Sequence, residues 1–438
     1  MHSKRRVAIL SEGCAANFGD GEEIGEHFAR EGFDVSFEMP SETPCALVLN
    51  ACTVKGISGA VKLSRQIRAA FPEVPVWVTG CATEDLRREL QKLYPDFVFG
   101  PKDAHKNESA FREFFAHLEN FSPADRDVPV AEAEQVLSSH AGIGLVNIEE
   151  GCLDRCNYCS THLVKGVLKS IPPELVVRRV RRKVEAGNRE IFLTGQDTSC
   201  YGFDLHTNLA VLLQTILAKV PGDYKIRVGM GNPRHVLSYL DALVETFCDS
   251  RIYKFLHIPV QSGSDRVLCA MNRRHSVLDF FKIAEAFKTH FPDLNLGTDI
   301  IVAYPEETRE DFEKSLELVR KARPSICNIT RFVPREGTPA AKIPNTISKE
   351  ERYARSAELS ELFQKIAFEN NRAFVGSPKS VVVEKKGSRP GTTIARDDSF
   401  RPVAIEGDFA PGMRFNVQIK RAETFALIGE ILGRHLPL

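Results

Sequence analysis

The sequence predicts an α/β protein built from three successive parts. Residues 1–120 alternate strand-like and helix-like segments and predict an α/β sheet domain, whereas 121–143 lose this periodicity and predict a linker. Residues 144–365 carry six strand–helix units, which predict a partial (β/α)6 barrel. Residues 375–438 hold short β-rich runs broken by Gly and Pro, which predict a small antiparallel β-barrel of the oligonucleotide-binding type.

Three cysteines of the N-terminal part each come after an apolar run that is typical of a buried parallel strand: Cys14, Cys52 and Cys81. Residues at the carboxyl edge of an open α/β sheet converge on one crevice, so three strand ends can build one metal site. The alternative is three unrelated buried thiols, because burial is the usual place of a free cysteine.

The central part contains six apolar runs that are predicted to be parallel strands: 145–148, 190–193, 224–228, 255–260, 294–303 and 326–333. In a barrel of this kind the chemistry lies at the carboxyl ends of the strands. We therefore expect the functional residues of both the N-terminal and the central part to follow the ends of strands.

Three further cysteines follow the first of these runs with the spacing C-x3-C-x2-C: Cys152, Cys156 and Cys159. Three thiolates on one short loop can hold three irons of a 4Fe–4S cluster, and no fourth cysteine follows at close spacing. One iron is then left open for reaction. A zinc knuckle is the alternative, with His162 as a fourth ligand.

The composition limits the class of protein. The chain has 438 residues, 43% of them hydrophobic, but no apolar run of the length that a membrane span needs. The basic start is followed by only a short apolar stretch, which argues against a secretory signal and predicts a cytoplasmic protein. The odd count of 11 cysteines favours metal ligands over disulfides. Five cysteines are predicted to be packing residues: Cys45, Cys200, Cys248, Cys269 and Cys327.

The net charge of zero hides an uneven distribution. Residues 1–120 carry 14 basic against 18 acidic side chains, whereas residues 375–438 carry 10 against 7. A basic terminal module on a balanced chain indicates a polyanionic partner. The alternative is a barrel that only caps the preceding domain.

Both cysteine triplets and several further segments together resemble the methylthiotransferases of the radical S-adenosylmethionine superfamily, over nearly all of the chain. The segments are Phe192–Gly202, His257–Ser264 and Arg331–Pro339. Residues 375–438 resemble the TRAM module of RNA-modifying enzymes. One departure is Ala303-Tyr-Pro-Glu-Glu-Thr308, where the family usually has Gly-Phe-Pro-Gly-Glu-Thr, and it puts the backbone geometry of that loop in doubt.

The resemblance implies two 4Fe–4S clusters with different tasks. The cluster of the central triplet would give one electron to bound S-adenosylmethionine and so release a 5′-deoxyadenosyl radical. The cluster of Cys14, Cys52 and Cys81 would carry the sulfur, methylated by a second S-adenosylmethionine. The electron donor would be a protein such as flavodoxin or ferredoxin, and the sequence leaves the sulfur donor open.

The resemblance also implies which residues contact S-adenosylmethionine: Tyr158, Gly195, Gln196, Asp197, Arg227, Gln261 and Ser262. The segment 195–197 is expected at the methionine amino group, with a helix N-cap at Asp197 as the alternative. Tyr158 is expected near the adenine. Arg227 is expected at the carboxylate, with an ion pair inside the barrel as the alternative.

Three phrases resemble the archaeal and eukaryotic tRNA branch most closely: 165–170, 196–202 and 392–403. That branch methylthiolates N6-threonylcarbamoyladenosine 37 in the anticodon stem-loop of tRNA. The threonine carboxylate should need a cation, for which Lys165, Lys169 or Arg335 are candidates. Alternatives are N6-isopentenyladenosine in tRNA, an aspartate of a ribosomal protein, and a non-catalytic iron–sulfur sensor that binds RNA.

Overall fold

The computed structural model describes residues 6–52, 57–100 and 136–434. Most of the predicted linker therefore lies outside the described residues. The strands are β1 Arg6–Ser11, β2 Asp34–Ser36, β3 Ala46–Cys52, β4 Val76–Cys81, β5 Val98–Phe99, β6 Ile143–Asn147, β7 Glu149–Glu150, β8 Lys169–Ser170, β9 Glu190–Thr194, β10 Lys225–Val228, β11 Phe255–His257, β12 Asn295–Val302, β13 Ile326–Arg331, β14 Pro378–Lys386, β15 Thr392–Asp397, β16 Pro402–Glu406, β17 Arg414–Ala422 and β18 Leu427–Arg434.

Helices separate most of these strands. The α-helices are Ala15–Arg30, Ser58–Ala70, Glu84–Leu93, Thr161–Lys165, Pro173–Glu185, Leu209–Lys219, Pro233–Val236, Leu240–Thr246, Asp265–Ala270, Val277–His290, Arg309–Ala322 and Lys349–Arg372. Short 3-10 helices are Thr198–Cys200, Phe203–Leu205, Leu237–Tyr239 and Pro339–Lys342. None of the helices in the described ranges combines the length and apolar character needed to cross a bilayer.

The N-terminal part is a parallel sheet with the strand order β2-β1-β3-β4-β5. Apolar residues fill both of its faces, because the central strands β3 and β4 are buried along their whole length. The helix Ala15–Arg30 covers one face and also packs against β6 of the next domain. The carboxyl ends of β1, β3 and β4 thus lie next to one another at one edge of the sheet.

The central part has the six predicted parallel strands. β6, β9 and β10 form one three-stranded sheet, and β11, β12 and β13 form another. Backbone hydrogen bonds from Ile226 N to Arg251 O (2.6 Å) and from Tyr253 N to Ile226 O (3.0 Å) join the two halves. The result is an open barrel whose helices cover its outside, which confirms the predicted partial (β/α)6 architecture.

The C-terminal part is a closed five-stranded barrel in the order β14-β15-β16-β18-β17. This confirms the predicted small barrel, with one difference. Most of its pairs are antiparallel, but β16 and β18 pair in parallel. This parallel pair closes the barrel without leaving an edge.

Candidate active site

The structure brings Cys14, Cys52 and Cys81 together at the carboxyl edge of the N-terminal sheet. Cys52 and Cys81 are register partners in β3 and β4, with exposed fractions of only 4% and 5%. Cys14 is exposed and precedes the helix that follows β1. Gly13 has a φ of +100°, and a Cβ there would lie 2.4 Å from the Cys52 Sγ. Glycine is therefore required for the close approach between these two strand ends.

The three thiols differ in how readily they ionise. Contact with Cys52 lowers the pKa of Cys14 to about 6, because the thiolate of Cys14 is the hydrogen-bonded form. Burial raises the pKa of Cys81 to about 12. Because iron binds the thiolate form of cysteine, metal binding at Cys81 would have to overcome this raised pKa.

Lys165 lies beside this triplet and has partners of its own. Its Nζ is 2.6 Å from Asp20 Oδ2 and 3.4 Å from Glu150 Oε1, and the side chain is 2% exposed. The charge of Lys165 also acts on Cys81. Lys165 thus joins the helix Ala15–Arg30 to the central barrel in a buried ion pair, and its contact with the substrate carboxylate stays a prediction.

The second triplet lies on the loop after β7. Cys152, Cys156 and Cys159 are half-buried, and the loop is closed by a hydrogen bond from Cys159 N to Cys156 O (3.1 Å). The amide of Asp154 donates to Cys152 Sγ at 3.4 Å. Arg273 places its Nη1 3.6 Å from Cys156 Sγ. A cation and an amide thus face the sulfur atoms of the loop.

Asp154 anchors this loop to the third strand of the barrel. Its carboxylate lies 3.2 Å from His235 Nε2 and also accepts hydrogen bonds from Asn232 and Arg234. Although burial raises the pKa of Asp154, the bond to His235 and the charge of Arg234 bring it below the ordinary value. Sequence reasoning missed this group, and the run 232–235 directly after a strand was the available signal.

The segment 195–197 anchors the same loop to the second strand. Gln196 Oε1 accepts a hydrogen bond from Gly151 N at 2.7 Å, and Glu149 Oε1 accepts one from Asp197 N at 3.0 Å. A Cβ at position 195 would lie 1.9 Å from Glu149 Oε1, so only glycine fits. Asp197 also caps the helix Thr198–Cys200 by accepting from Ser199 N at 3.1 Å, which is the N-cap considered as an alternative.

Tyr158 and Arg273 form the wall beside Cys156. Tyr158 packs against the apolar cluster that contains Tyr304 and Phe332, and burial raises its pKa well above the ordinary value. Arg273 Nη2 donates to Pro259 O at 2.8 Å, whereas its buried Nε has no hydrogen-bond partner. Arg273 was not predicted, since it follows a helix and belongs to no motif at a strand end.

Gln261 and Ser262 end the fourth strand with different surroundings. Gln261 has a φ of +80°, an uncommon conformation for this residue type that is often kept at functional sites. Ser262 is 0% exposed, and its hydroxyl accepts from Ser264 N at 3.2 Å within the turn. Ser262 thus has a role in the turn, and its contact with a cofactor stays a prediction.

Arg227 points into the barrel toward three aromatic rings. Its guanidinium carbon lies 5.6 Å, 5.3 Å and 5.8 Å from the ring centres of Phe192, Phe255 and Phe400. Among the described residues no carboxylate lies within 4 Å of Arg227, so the alternative of an ion pair inside the barrel is not found there. Burial lowers its pKa to about 10, which keeps it charged at neutral pH.

The two remaining candidates for the substrate carboxylate lie at the surface. Lys169 is exposed in β8, where it pairs with Glu150 of β7. Arg335 is half-buried in the loop after β13, and its carbonyl accepts from Thr338 N at 3.1 Å. The neighbouring Glu336 forms an ion pair with Arg88, so the loop after β13 contacts the N-terminal domain.

Comparison with known families assigns each part of the chain. Residues 6–100 match the model described as uncharacterized protein family UPF0004, and residues 146–319 match the radical SAM superfamily. Residues 372–432 match the TRAM domain. These ranges agree with the sheet domain, the open barrel and the closed barrel of the structure.

Full-length relatives decide the family. A probable threonylcarbamoyladenosine tRNA methylthiotransferase of Archaeoglobus fulgidus is 37% identical over 97% of this chain and 98% of its own length. The chain belongs to the threonylcarbamoyladenosine tRNA methylthiotransferase family. A Pyrococcus horikoshii relative of the same name is 35% identical over 98% of this chain and 99% of its own length. The Drosophila melanogaster enzyme is 30% identical over 98% of this chain and 78% of its own length.

Solved structures support the fold of this methylthiotransferase. A radical S-adenosylmethionine methyltransferase from Kitasatospora setae aligns with a TM-score of 0.57 over 77% of this chain and 75% of its own. The sequences are only 12% identical, so this similarity concerns the fold alone.

Proposed function

We propose that this methylthiotransferase converts N6-threonylcarbamoyladenosine 37 of tRNA to its 2-methylthio derivative, with two 4Fe–4S clusters held by its two cysteine triplets. The observation that carries the proposal is the pair of triplets at strand ends of two adjoining domains. Cys14, Cys52 and Cys81 would hold the auxiliary cluster. Cys152, Cys156 and Cys159 would hold the cluster that binds S-adenosylmethionine.

Bound clusters and S-adenosylmethionine would supply the radical and the sulfur, because no side-chain base removes a proton from an aromatic carbon at neutral pH. The chain's own residues hold and orient these groups. Asp154 and Gln196 fix the central cysteine loop to two different strands. Arg273 supplies a positive charge beside Cys156, which stabilises the thiolate form.

Contacts to S-adenosylmethionine are proposed for the residues around this loop. Tyr158 would lie at the adenine, and the segment 195–197 at the methionine amino group. Arg227 is proposed for a carboxylate because its buried charge lacks an acidic partner in the described structure. Gln261 is proposed as a further contact, and its backbone has an unfavourable positive φ.

The proposed substrate is the threonylcarbamoyl nucleoside in the anticodon stem-loop. The cations proposed for its threonine carboxylate are Lys165, Lys169 and Arg335, of which Lys165 forms a buried ion pair with Asp20. The basic TRAM domain is proposed to hold tRNA phosphates outside the reacting loop. We further propose flavodoxin or ferredoxin as the electron donor, and the cytoplasm, where tRNA is modified, as the site of action.

The test is the iron content of triplet variants. Reconstituted enzyme should hold about eight irons, and the triple Cys14→Ala, Cys52→Ala, Cys81→Ala variant about four. That variant should still release 5′-deoxyadenosine but form no methylthio product. A matched control replaces three exposed cysteines outside both triplets, Cys45, Cys248 and Cys269, and should keep about eight irons. Full iron content in the first variant contradicts the two-cluster assignment.

A further inference from the structure

The C-terminal barrel places one hairpin against the amino-terminal end of the central barrel. The hairpin joins β15 to β16, and Asp398 at its tip accepts from Lys225 Nζ (2.6 Å) and from Lys254 N (2.9 Å). On the other side of the tip, Arg401 Nη2 donates to Leu294 O at 3.1 Å. The tip therefore spans the starts of three neighbouring strands, β10, β11 and β12.

Phe400 is the apolar residue of this tip, and its ring closes the barrel from below. The ring is 8% exposed, and its centre lies 5.5 Å from Phe192, 5.1 Å from Tyr253 and 5.4 Å from Phe255. Phe192 belongs to β9, Phe255 belongs to β11, and Tyr253 lies just before β11. The C-terminal domain thus contributes an aromatic ring to the floor of the central barrel.

Arg227 rests on this aromatic floor. A guanidinium over ring faces is attracted by the negative face of each ring, and no carboxylate is needed to hold it there. Among the described residues no carboxylate lies within 4 Å of Arg227, so its guanidinium is a cation held by aromatic rings inside the central barrel.

The conformation of the hairpin tip is set by the C-terminal barrel itself. Asp397 is buried, and its Oδ1 accepts from Ser399 N (2.9 Å) and Arg401 N (2.8 Å). Phe400 has a φ of +62°, which is unfavourable for an aromatic residue and persists only where the surroundings impose it. Arg396 covers the same ring, with its guanidinium carbon 4.3 Å from the ring centre.

We propose that Phe400 is a positioning residue of the reaction chamber, through which the C-terminal barrel fixes the Arg227 guanidinium for the carboxylate of a bound ligand. The proposal rests on the proposed function for the identity of that ligand. Two carboxylates qualify, the one of S-adenosylmethionine and the one of the threonylcarbamoyl nucleoside. The C-terminal barrel then has a part in the catalytic chamber in addition to any contact with RNA.

The experiment compares Phe400→Leu with Phe409→Leu in reconstituted full-length enzyme. Phe409 is partly buried and packs on Phe415 of the core of the same barrel, 4.6 Å between ring centres, and it serves as the matched control for lost packing. Three quantities are measured: the Kd for S-adenosylmethionine without tRNA, the KM for tRNA with and without the threonylcarbamoyl group, and the thermal midpoint. Arg227→Lys and the double variant with Phe400→Leu complete the set.

We expect Phe400→Leu to weaken one ligand constant by about threefold to tenfold, the range of one cation–π contact. A raised Kd for S-adenosylmethionine shows that Arg227 binds the carboxylate of the cofactor. A raised KM confined to threonylcarbamoyl tRNA shows that Arg227 binds the carboxylate of the nucleoside. Phe409→Leu should lower the thermal midpoint without moving either constant. The double variant should bind no worse than Arg227→Lys alone, because Phe400 acts through Arg227.

Three results overturn the proposal. In the first, Phe400→Leu and Phe409→Leu have the same ligand constants. In the second, the effects of Phe400→Leu and Arg227→Lys on a ligand constant multiply in the double variant. In the third, Phe400→Leu changes only the thermal midpoint. If Arg227→Lys weakens a constant while Phe400→Leu does not, the positioning role fails and the proposed function stands. If neither variant moves a constant, the carboxylate role of Arg227 fails as well.

Discussion

Two residues replace glycines expected from the family pattern, and both keep a glycine-like conformation. In the loop 303–308, Ala303 has a φ of +57° and Glu306 a φ of +67°. Glu307 holds the turn, because its Oε2 accepts from Ala303 N (2.8 Å) and from Arg355 Nη1 (2.8 Å). These hydrogen bonds of Glu307 hold the loop in the conformation that the family's glycines would adopt. Ala303 and Glu306 keep the strain of a left-handed backbone conformation.

This strain predicts a stabilising substitution at an exposed position. Glu306→Gly should raise the free energy of unfolding by about 1 kcal/mol. A non-glycine residue in the left-handed conformation costs about 1–2 kcal/mol, and the greater backbone entropy of glycine in the unfolded chain offsets part of the gain from removing that cost. Thermal midpoints of the reconstituted proteins provide the measurement. Glu306→Ala is the control, because it removes the same side chain but keeps the strain. Equal midpoints for both variants contradict the explanation.

Elements with regular patterns were predictable from the sequence, and those that bury polar residues were not. All six central strands follow apolar runs and were predicted near their observed places. β15 lacks a regular apolar pattern, because two of its inward positions are the polar Thr393 and Asp397. Thr393 Oγ1 donates to Gly407 O and Asp397 Oδ1 accepts from Arg401 N, and a hydrophobic pattern cannot reveal such contacts.

A buried carboxyl group at the start of β9 predicts how the contact between the two barrels responds to pH. Burial raises the pKa of Glu190 from 4.5 to about 7, and Tyr253 Oη donates to it at 2.5 Å. Glu384, Arg396 and Arg414 of the C-terminal barrel act on the same group. Between these two pH values the folded chain keeps a proton that the unfolded chain releases, so stability falls as pH rises from about 4.5 to about 7.

The substitution Glu190→Gln should remove this part of the pH dependence. The amide keeps an oxygen that can accept from Tyr253 but cannot ionise. Relative to the wild type, the variant should gain about 3 kcal/mol between pH 4.5 and pH 8, from 1.36 kcal/mol for each unit of the shift. Thermal midpoints of both proteins, compared at each pH, give the measurement. A constant difference across that range shows that Glu190 is already ionised in the folded enzyme.

The arrangement of the whole molecule depends on contacts between residues far apart in the sequence. Lys183 Nζ lies 2.6 Å from Glu22 Oε2, 161 residues away, and Lys165 reaches Asp20 across 145 residues. Both pairs hold the N-terminal sheet on the central barrel, and Lys225 with Asp398 holds the C-terminal barrel at the other end. Local patterns predicted each domain, but single-chain periodicity carries no information on such pairs. The sequence therefore did not predict the ion pair of Lys165 with Asp20.

This arrangement changes how RNA binding by the C-terminal barrel must be tested. Deleting residues 375–438 would remove Phe400 and uncover Tyr253 and Phe255, so the loss of RNA binding could not be separated from damage to the chamber. Charge removal on the outer surface avoids this problem. Lys385, Lys386 and Arg389 are exposed at the end of β14 and just after it, away from the hairpin tip.

The triple variant Lys385→Gln, Lys386→Gln, Arg389→Gln should weaken tRNA binding and flatten its salt dependence. Each lost phosphate contact lowers the log–log slope by about 0.7–0.9, so the slope should fall by about 2 if most of the three cations bind phosphate. The control replaces three exposed cations on outer helices of the central barrel, Lys282, Arg320 and Lys321, and should leave the slope unchanged. Cleavage of S-adenosylmethionine without tRNA should be equal in all three proteins. If both triple variants give the wild-type slope, this end of the C-terminal barrel does not contact RNA, and the domain serves the enzyme mainly as the floor of its chamber.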